Sequence, residues 1–256
     1  MHRSFRAQGL LKIGQRFYDE ADRYGQWRCA MNPKYFSLPE EKQSAILNAG
    51  FHVFSQNTYK KSPMSEIADA AGISKSLLFH YFHNKKELYL FLWDTCCKIT
   101  VEEMTRSGAY EQEDLFGSMD YGMQAKLRLM RQYPDIGVFA VRAYYEKDPE
   151  VSSDIQRSMG QYLDTHAAKK LQNLDPGDFI PGIDLQMMYK EMYWASEGCL
   201  WEYIQRGYMD ADAMEKDFRK LLEFWKKVYL RKNREEVSDE RKDTKDTIRC
   251  HSLLDE

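Results

Sequence analysis

The sequence predicts an all-α protein, a small N-terminal three-helix unit carried on a larger C-terminal helical bundle. Three observations predict it. The 256 residues contain only 14 Gly and 7 Pro, too few turn formers for a many-stranded sandwich or barrel. Leu, Met, Lys and Glu are spread throughout, all good helix formers. Apolar residues recur at spacings of three and four, which marks one face of a helix. A hydrophobic content of 43% with 30% charged residues is ordinary for a globular chain and excludes a collagen-like repeat or a disordered tail protein. The length suffices for one large domain or two small ones.

Charge, cysteines and termini narrow the class. The formal charge is -3, so the chain is no polycation, and any contact with nucleic acid must use a local basic face. Cys29, Cys96, Cys97, Cys199 and Cys250 are odd in number and never form C-x-x-C, which indicates neither a disulfide framework nor a zinc ribbon. That suits a reducing compartment. No apolar run approaches the roughly 18 residues of a membrane helix, and the N-terminus lacks the apolar core of a signal peptide. The expectation is a cytoplasmic protein with no membrane partner.

Residues 1–38 read as an N-terminal extension. Arg3, Arg6, Lys12, Arg16, Arg23 and Arg28 oppose only Asp19, Glu20 and Asp22 in residues 1–30. Two readings stand there: an ordinary arm, or an upstream translation preceding a native start at Met31. The first clear helix begins at Leu38-Pro39-Glu40-Glu41, with Pro near the first turn and acids at the positive end of the dipole. Its inner face is Ile46, Ala49, Gly50, Val53 and Phe54. After the polar break at 55–62 a short helix restarts, with Ser62 as expected N-cap and Pro63 at the first helical position. Gly72 ends it, Ser74 caps a second short helix, and Asn84 caps a long one carrying Phe91, Leu92, Thr95 and Ile99 on its inner face.

Further helices are expected near 112–132, 135–147, 149–172, 184–206 and 210–232, with breaks at Tyr133-Pro134, Asp148-Pro149 and 173–182. Segment 210–232 shows one stripe of Met214, Phe218, Leu221, Leu222, Trp225, Val228 and Tyr229. Segment 184–206 is apolar on two faces: Leu185, Met188, Met192, Ala195 and Cys199 on one, Met187, Trp194 and Trp201 elsewhere. A helix apolar on more than one side is usually buried on more than one side. Residues 233–256 mix acids and bases with few apolar groups and are expected to be a disordered tail.

Two short helices joined by a tight Gly-containing turn are the geometry of a helix-turn-helix, whose second helix lies in the DNA major groove. Ile67, Ala68 and Ala71 allow a close helix crossing, and Ile73, Leu78 and Phe82 bury the back of the second helix. Ser74, Lys75, Ser76, Leu77, His80 and Tyr81 are left outward, groups able to meet phosphates, base edges and thymine methyls. Between Gln56 and Lys86 five lysines, Lys60, Lys61, Lys75, Lys85 and Lys86, face only Glu66 and Asp69. A basic patch on an otherwise acidic chain is the footprint of a DNA binder.

The stretch SPMSEIADAAGISKSLLFHYFHNKKEL, residues 62–88, resembles the signature of the TetR family of transcriptional regulators. Met64, Ile67, Ala68, Ala71, Gly72, Ser74, Lys75, Leu78, Tyr81, Phe82, Lys85, Glu87 and Leu88 match as they stand. Ser62 replaces a usual Thr, Ile73 a Val and Phe79 a frequent Tyr. Ser76 and Leu77 depart from the common Gly-Thr pair on the groove-facing side, which bears on base preference rather than on fold. The resemblance covers about residues 40–90; beyond residue 100 it extends only to helix count and length. It implies a helix-turn-helix DNA-binding domain over 39–84 and a helical ligand-binding and dimerisation domain over 85–232. The DNA-contacting set is then Ser62, Ser74, Lys75, Ser76, Leu77, His80, Tyr81 and Lys85. Lys85 stands at a helix start, where a cation opposes the dipole unless a phosphate arrives.

The resemblance also implies a ligand pocket among the central helices. Met fills irregular gaps and Tyr or Trp offers a polar tip, so Phe91, Thr95, Met123, Phe139, Tyr144, Met188, Met192 and Trp194 are candidate lining, with ordinary core as the alternative for each. The expected partners are a palindromic double-stranded operator, a small apolar or aromatic effector and a second copy of the chain. His80, His83, Cys96 and Cys97 lie near one another in sequence, but His83 falls beyond the groove helix and no carboxylate pair completes a ligand set. No metal and no cofactor are therefore expected. No G-x-S-x-G, phosphate-cradling glycine loop or H-E-x-x-H occurs, so no catalytic residue is expected either. The rivals to a repressor are a helical ligand-binding or scaffold protein without DNA readout and an all-α enzyme.

Overall fold

A computed structural model describes residues 33–160, 171, 174–207 and 210–231. The arm and alternative start within 1–32, the second half of the helix expected at 149–172, and the charged tail 233–256 lie outside the described residues. Among the described residues the regular elements are all helices, joined by turns and loops, with a single isolated bridge between Phe179 and Leu230.

A four-residue helix α1 (Pro33–Phe36) precedes α2 (Glu40–Gln56), and a 3-10 turn at Tyr59–Lys61 leads to α3 (Met64–Ala70) and α4 (Lys75–Tyr81). The long α5 (Lys85–Arg106) follows, then α6 (Leu115–Gln132) and α7 (Ile136–Tyr144). A helix α8 is described over 152–160, and α9 (Leu185–Arg206) and α10 (Ala211–Tyr229) complete the order. The expected caps at Ser74 and Asn84 are present: the Leu77 and Glu87 amides donate to their side-chain oxygens at 3.2 and 2.8 Å. Each satisfies a helix-start N–H that would otherwise lack a partner. Aspartates do the same for α6, α9 and α10, at Asp114, Asp184 and Asp210.

One apolar cluster runs from the small N-terminal helices into the bundle. Phe139 of α7 is fully buried, its ring 5.2 Å from Phe51, 6.3 Å from Phe54 and 5.5 Å from Tyr89. Leu88, Leu92 and Trp93 of α5 join the same cluster, with Val151 just before α8 and Ile155 in its first turn. Each large apolar side chain taken fully from water contributes roughly 1.5–3 kcal/mol, so this shared core ties α2 to α5 and α7. A second cluster joins Leu115 and Phe116 of α6, Met188 and Met192 of α9, and Phe218, Leu222 and Trp225 of α10. Phe179 closes it, because Ile180 and Arg231 donate to the Tyr229 and Asp178 carbonyls across the bridge, both at 2.9 Å.

The two-faced pattern of α9 has a split outcome. Met188 and Met192 are buried as expected, while Met187 and Trp194 are each 54% exposed and Trp201 41%. On α10 the expected stripe is buried at Met214, Phe218, Leu222 and Trp225, but Val228 is exposed beside an exposed Phe224.

Candidate nucleic-acid interface

The turn between α3 and α4 is built by the residues the sequence places there. Ile67 and Ala68 are fully buried under the crossing. Gly72 takes φ +66, a left-handed conformation that side chains with a Cβ seldom adopt. The Gly72 and Ile73 amides donate to the Asp69 and Ala68 carbonyls at 3.1 and 3.0 Å, which closes the end of α3.

On α4, Leu78 is fully buried and Phe82, just beyond, nearly so. Ser74, Lys75, Ser76, Leu77 and His80 are exposed, and the Ser74 and Ser76 hydroxyls lie 3.0 Å apart. Phe79 shares that exposed face, with the Lys75 ammonium 5.9 Å from its ring centroid. The sequence reading left Phe79 out of the site, although its position four residues after Lys75 puts both on one helix face.

Two residues of the expected DNA-contacting set are less exposed than the sequence predicts. Ser62 is fully buried; its hydroxyl donates to the Thr58 carbonyl at 3.0 Å and lies 3.5 Å from the Val53 carbonyl. The cap position of α3 belongs to Pro63, one residue later, without a side-chain hydrogen bond. Tyr81 is only 7% exposed. It stands three residues after Leu78 and so shares the buried face, its ring edge-on to Tyr35 at 6.3 Å.

Lys85 opens α5 beside Asn84. Its ammonium lies 4.6 Å over the Tyr59 ring and donates to the Lys60 carbonyl at 3.2 Å. Lys60 and Lys61 occupy the same exposed turn. His83 pairs with Glu87 at 2.9 Å. Cys96 is buried, and that burial pushes its thiol up to about 12, far from the thiolate that metal binding or redox chemistry requires. Among the described residues no group of three or more His, Cys, Asp or Glu is placed to hold a metal ion.

Among the described residues the expected pocket lining is divided between separate apolar clusters. Phe91 packs with Tyr35 and Phe82, both at 5.1 Å, behind α4. Phe139 fills the core against α2, as above. Met188 and Met192 lie in the second cluster with Met123 against them; Thr95 is half-buried on α5, and Trp194 faces outward under Lys190 at 4.8 Å. Tyr144 lines an open cavity of about 610 Å³, with Tyr145, Glu146, Lys147, Gln156 and Met159. Helical spacing reports that a side chain is buried, not which neighbour buries it.

A short exposed helix held behind a glycine turn, with lysines at the adjoining helix start, has the geometry of a helix-turn-helix of the DNA-binding kind. Residues 46–91 match the family model of bacterial regulatory proteins, tetR family. The chain is 42% identical over 72 residues to the HTH-type transcriptional activator FasR of Mycolicibacterium smegmatis, which is 27% of this chain and 33% of that one. It is 26% identical over 157 residues to the HTH-type transcriptional regulator RutR of Escherichia coli, 60% of this chain and 71% of that protein. The matched segment thus spans only a third of FasR. Among solved structures, a TetR family transcriptional regulator from Chloroflexus aurantiacus shares the fold with a TM-score of 0.53, at 19% identity over 79% of this chain and 99% of that one. Over its helix-turn-helix the chain is thus similar to the TetR family of transcriptional regulators, and over most of its length it shares their fold. Among the described residues no helix is long and apolar enough to cross a membrane.

Proposed function

We propose that the chain is a homodimeric transcriptional repressor that reads a palindromic operator through α4 and leaves it when a small apolar or aromatic molecule binds its C-terminal helices. The observation that carries the reading is α4 itself. Leu78 and Tyr81 anchor its back, and Ser74, Lys75, Ser76, Leu77 and His80 are turned outward beside Lys85. In this reading residues 39–84 form the DNA-binding domain and 85–232 the ligand-binding and dimerisation domain.

One groove helix meets only a few base pairs, and paired half-sites are how such modules gain affinity. The apolar faces left open on α9 and α10 support pairing, since a second copy would cover them through a two-fold axis. An effector is supported by the cavity beside Tyr144, which has the size of small-molecule sites. Its tyrosines and Met159 favour an apolar or aromatic body, and tyrosine faces also attract cations. FasR is named an activator, but its 42% identity covers only a third of that protein, so it bears on DNA docking rather than on the sign of control. Transcription from a template carrying the operator should fall on adding the protein; a rise would replace repression by activation.

Selection from random DNA by the full chain should return a palindrome. Lys85→Ala should then weaken binding to all sequences and make the salt slope shallower by about one unit per protomer. Changes at Ser76 or Leu77 should instead alter base preference by about 1–3 kcal/mol. No enriched sequence, or a Lys85→Ala variant with unchanged affinity and salt dependence, overturns the reading.

A further inference from the structure

The lysine at the start of α5 is placed by a turn that the C-terminal helices hold. The Lys85 ammonium rests over the Tyr59 ring and on the Lys60 carbonyl, at 4.6 and 3.2 Å. Both belong to the 3-10 turn Tyr59–Lys61. Tyr59 is 2% exposed and wedged against Phe54 and Tyr89, at 6.5 and 5.0 Å between ring centroids. Its backbone N–H donates to the Glu146 carboxylate at 2.7 Å, and burial, with the Glu150 carboxylate adding to it, holds its phenol above the ordinary range.

Glu146 follows directly on α7. The other oxygen of its carboxylate accepts from the Lys147 and Asp148 amides at 2.8 and 3.0 Å. One side chain therefore joins the folded-back 146–148 segment to a backbone N–H that is 87 positions away in sequence. Charge-assisted bonds of this length are the stronger kind. Glu146 also lines the 610 Å³ cavity beside Tyr144, so anything that displaces the end of α7 pulls on the turn beneath Lys85.

We propose that Glu146 is a positioning residue for DNA binding: through Tyr59 it sets where the Lys85 ammonium stands, and it connects the cavity at the end of α7 to the DNA face. This rests on the reading of Lys85 as a phosphate contact. The proposal does not require Glu146 to approach DNA, and an acidic group there would only repel phosphate. Loss of its charge should thus weaken binding through Lys85 alone.

The test is a double-mutant cycle in the full chain, with Glu146→Gln, Lys85→Ala and the double variant titrated against the selected operator at several salt concentrations. Glu146→Gln should weaken binding about three- to tenfold and flatten the salt slope. The same change in the Lys85→Ala background should cost less than twofold. A merely structural role would weaken both backgrounds equally, and that additivity overturns the proposal while leaving Lys85 as a contact. A Lys85→Ala variant that binds like the unaltered chain overturns both at once. Glu146→Asp, which keeps the charge but withdraws it from the Tyr59 amide, should repeat the non-additive pattern and serves if the Gln variant fails to fold.

Discussion

At position 50 an added methyl group would stand 2.5 Å from Leu92 Cδ1 and 3.0 Å from Cδ2. Leu92 is fully buried and has no solvent into which it could swing, so α2 and α5 approach closely because residue 50 is glycine. Gly50→Ala sets two effects against each other. Alanine is the better helix former by about 1 kcal/mol, while overpacking a filled core costs about 1–3 kcal/mol. The expected outcome is a net loss, read as a thermal midpoint lowered by a few degrees; a raised midpoint would mean that α2 and α5 part without cost. The same scale explains the two site residues that are less exposed than expected. The place of Ser62 before Pro63 predicts a helix cap, but the helix starts one residue later and the hydroxyl turns back to the Thr58 carbonyl. Tyr81 is expected outward from the face opposite Ile73, Leu78 and Phe82, yet its place three residues after Leu78 sets its ring on the packed side, only 7% exposed.

Helices with strong caps and one clean stripe were legible in the sequence, and α2, α4 and α5 begin where proline, serine and asparagine place them. What the stripes touch was not legible. Met188 and Phe139 give the same sequence signal, yet one packs against α10 and the other against α2. The Glu146–Tyr59 bond leaves no local trace at all, because its partners come together only when α7 crosses α2. Element α9 shows the converse: its second apolar face was legible, and within the single chain that face stays exposed, which is where the proposed second copy would pack. Met187, Trp194 and Trp201 recur every seven residues, close to two helical turns, and so form a line on one side. Trp194→Glu with Trp201→Glu should reduce the mass by light scattering at micromolar concentration from about two protomers to one. Operator affinity should fall with it while helical content is kept, since neither indole supports a buried cluster. An unchanged dimer mass would move the interface elsewhere.

Across the whole molecule, two carboxyl groups on α5 set opposite limits on stability against pH. Glu103 is 8% exposed and bridges α5 to α6, accepting from Arg128 Nε at 2.6 Å and Arg106 Nε at 2.9 Å. Burial alone would raise its pKa, but the two guanidinium groups together outweigh that and hold it below the usual 4.5. Its contribution is therefore present above the unfolded value and is lost as pH falls through the folded one. Asp94, two and a half turns earlier, is the reverse case. Burial, reinforced by the nearby Asp154 of α8, pushes it from 3.8 up to about 7. Asp154 itself is engaged by Lys86 at 3.1 Å and Arg157 at 3.7 Å. Because the folded chain holds the Asp94 proton more tightly, this stabilisation is full below about 4 and disappears as pH rises through 7. The two limbs leave a maximum at about pH 4 to 4.5, where the Glu103 contribution is still largely present and the Asp94 contribution has only begun to fall. Asp94→Asn should remove the fall on the alkaline side, a gain of about 2–4 kcal/mol at pH 8 relative to the unaltered chain. Glu103→Gln should lower stability at pH 6 by about 1–2 kcal/mol, since its arginines are partly exposed, and should flatten the acid limb. Urea unfolding at pH 4, 5.5 and 8 measures both. An Asp94→Asn variant whose stability falls between pH 5.5 and 8 as steeply as the unaltered chain would show that the packing of α8 on α5 does not hold that proton.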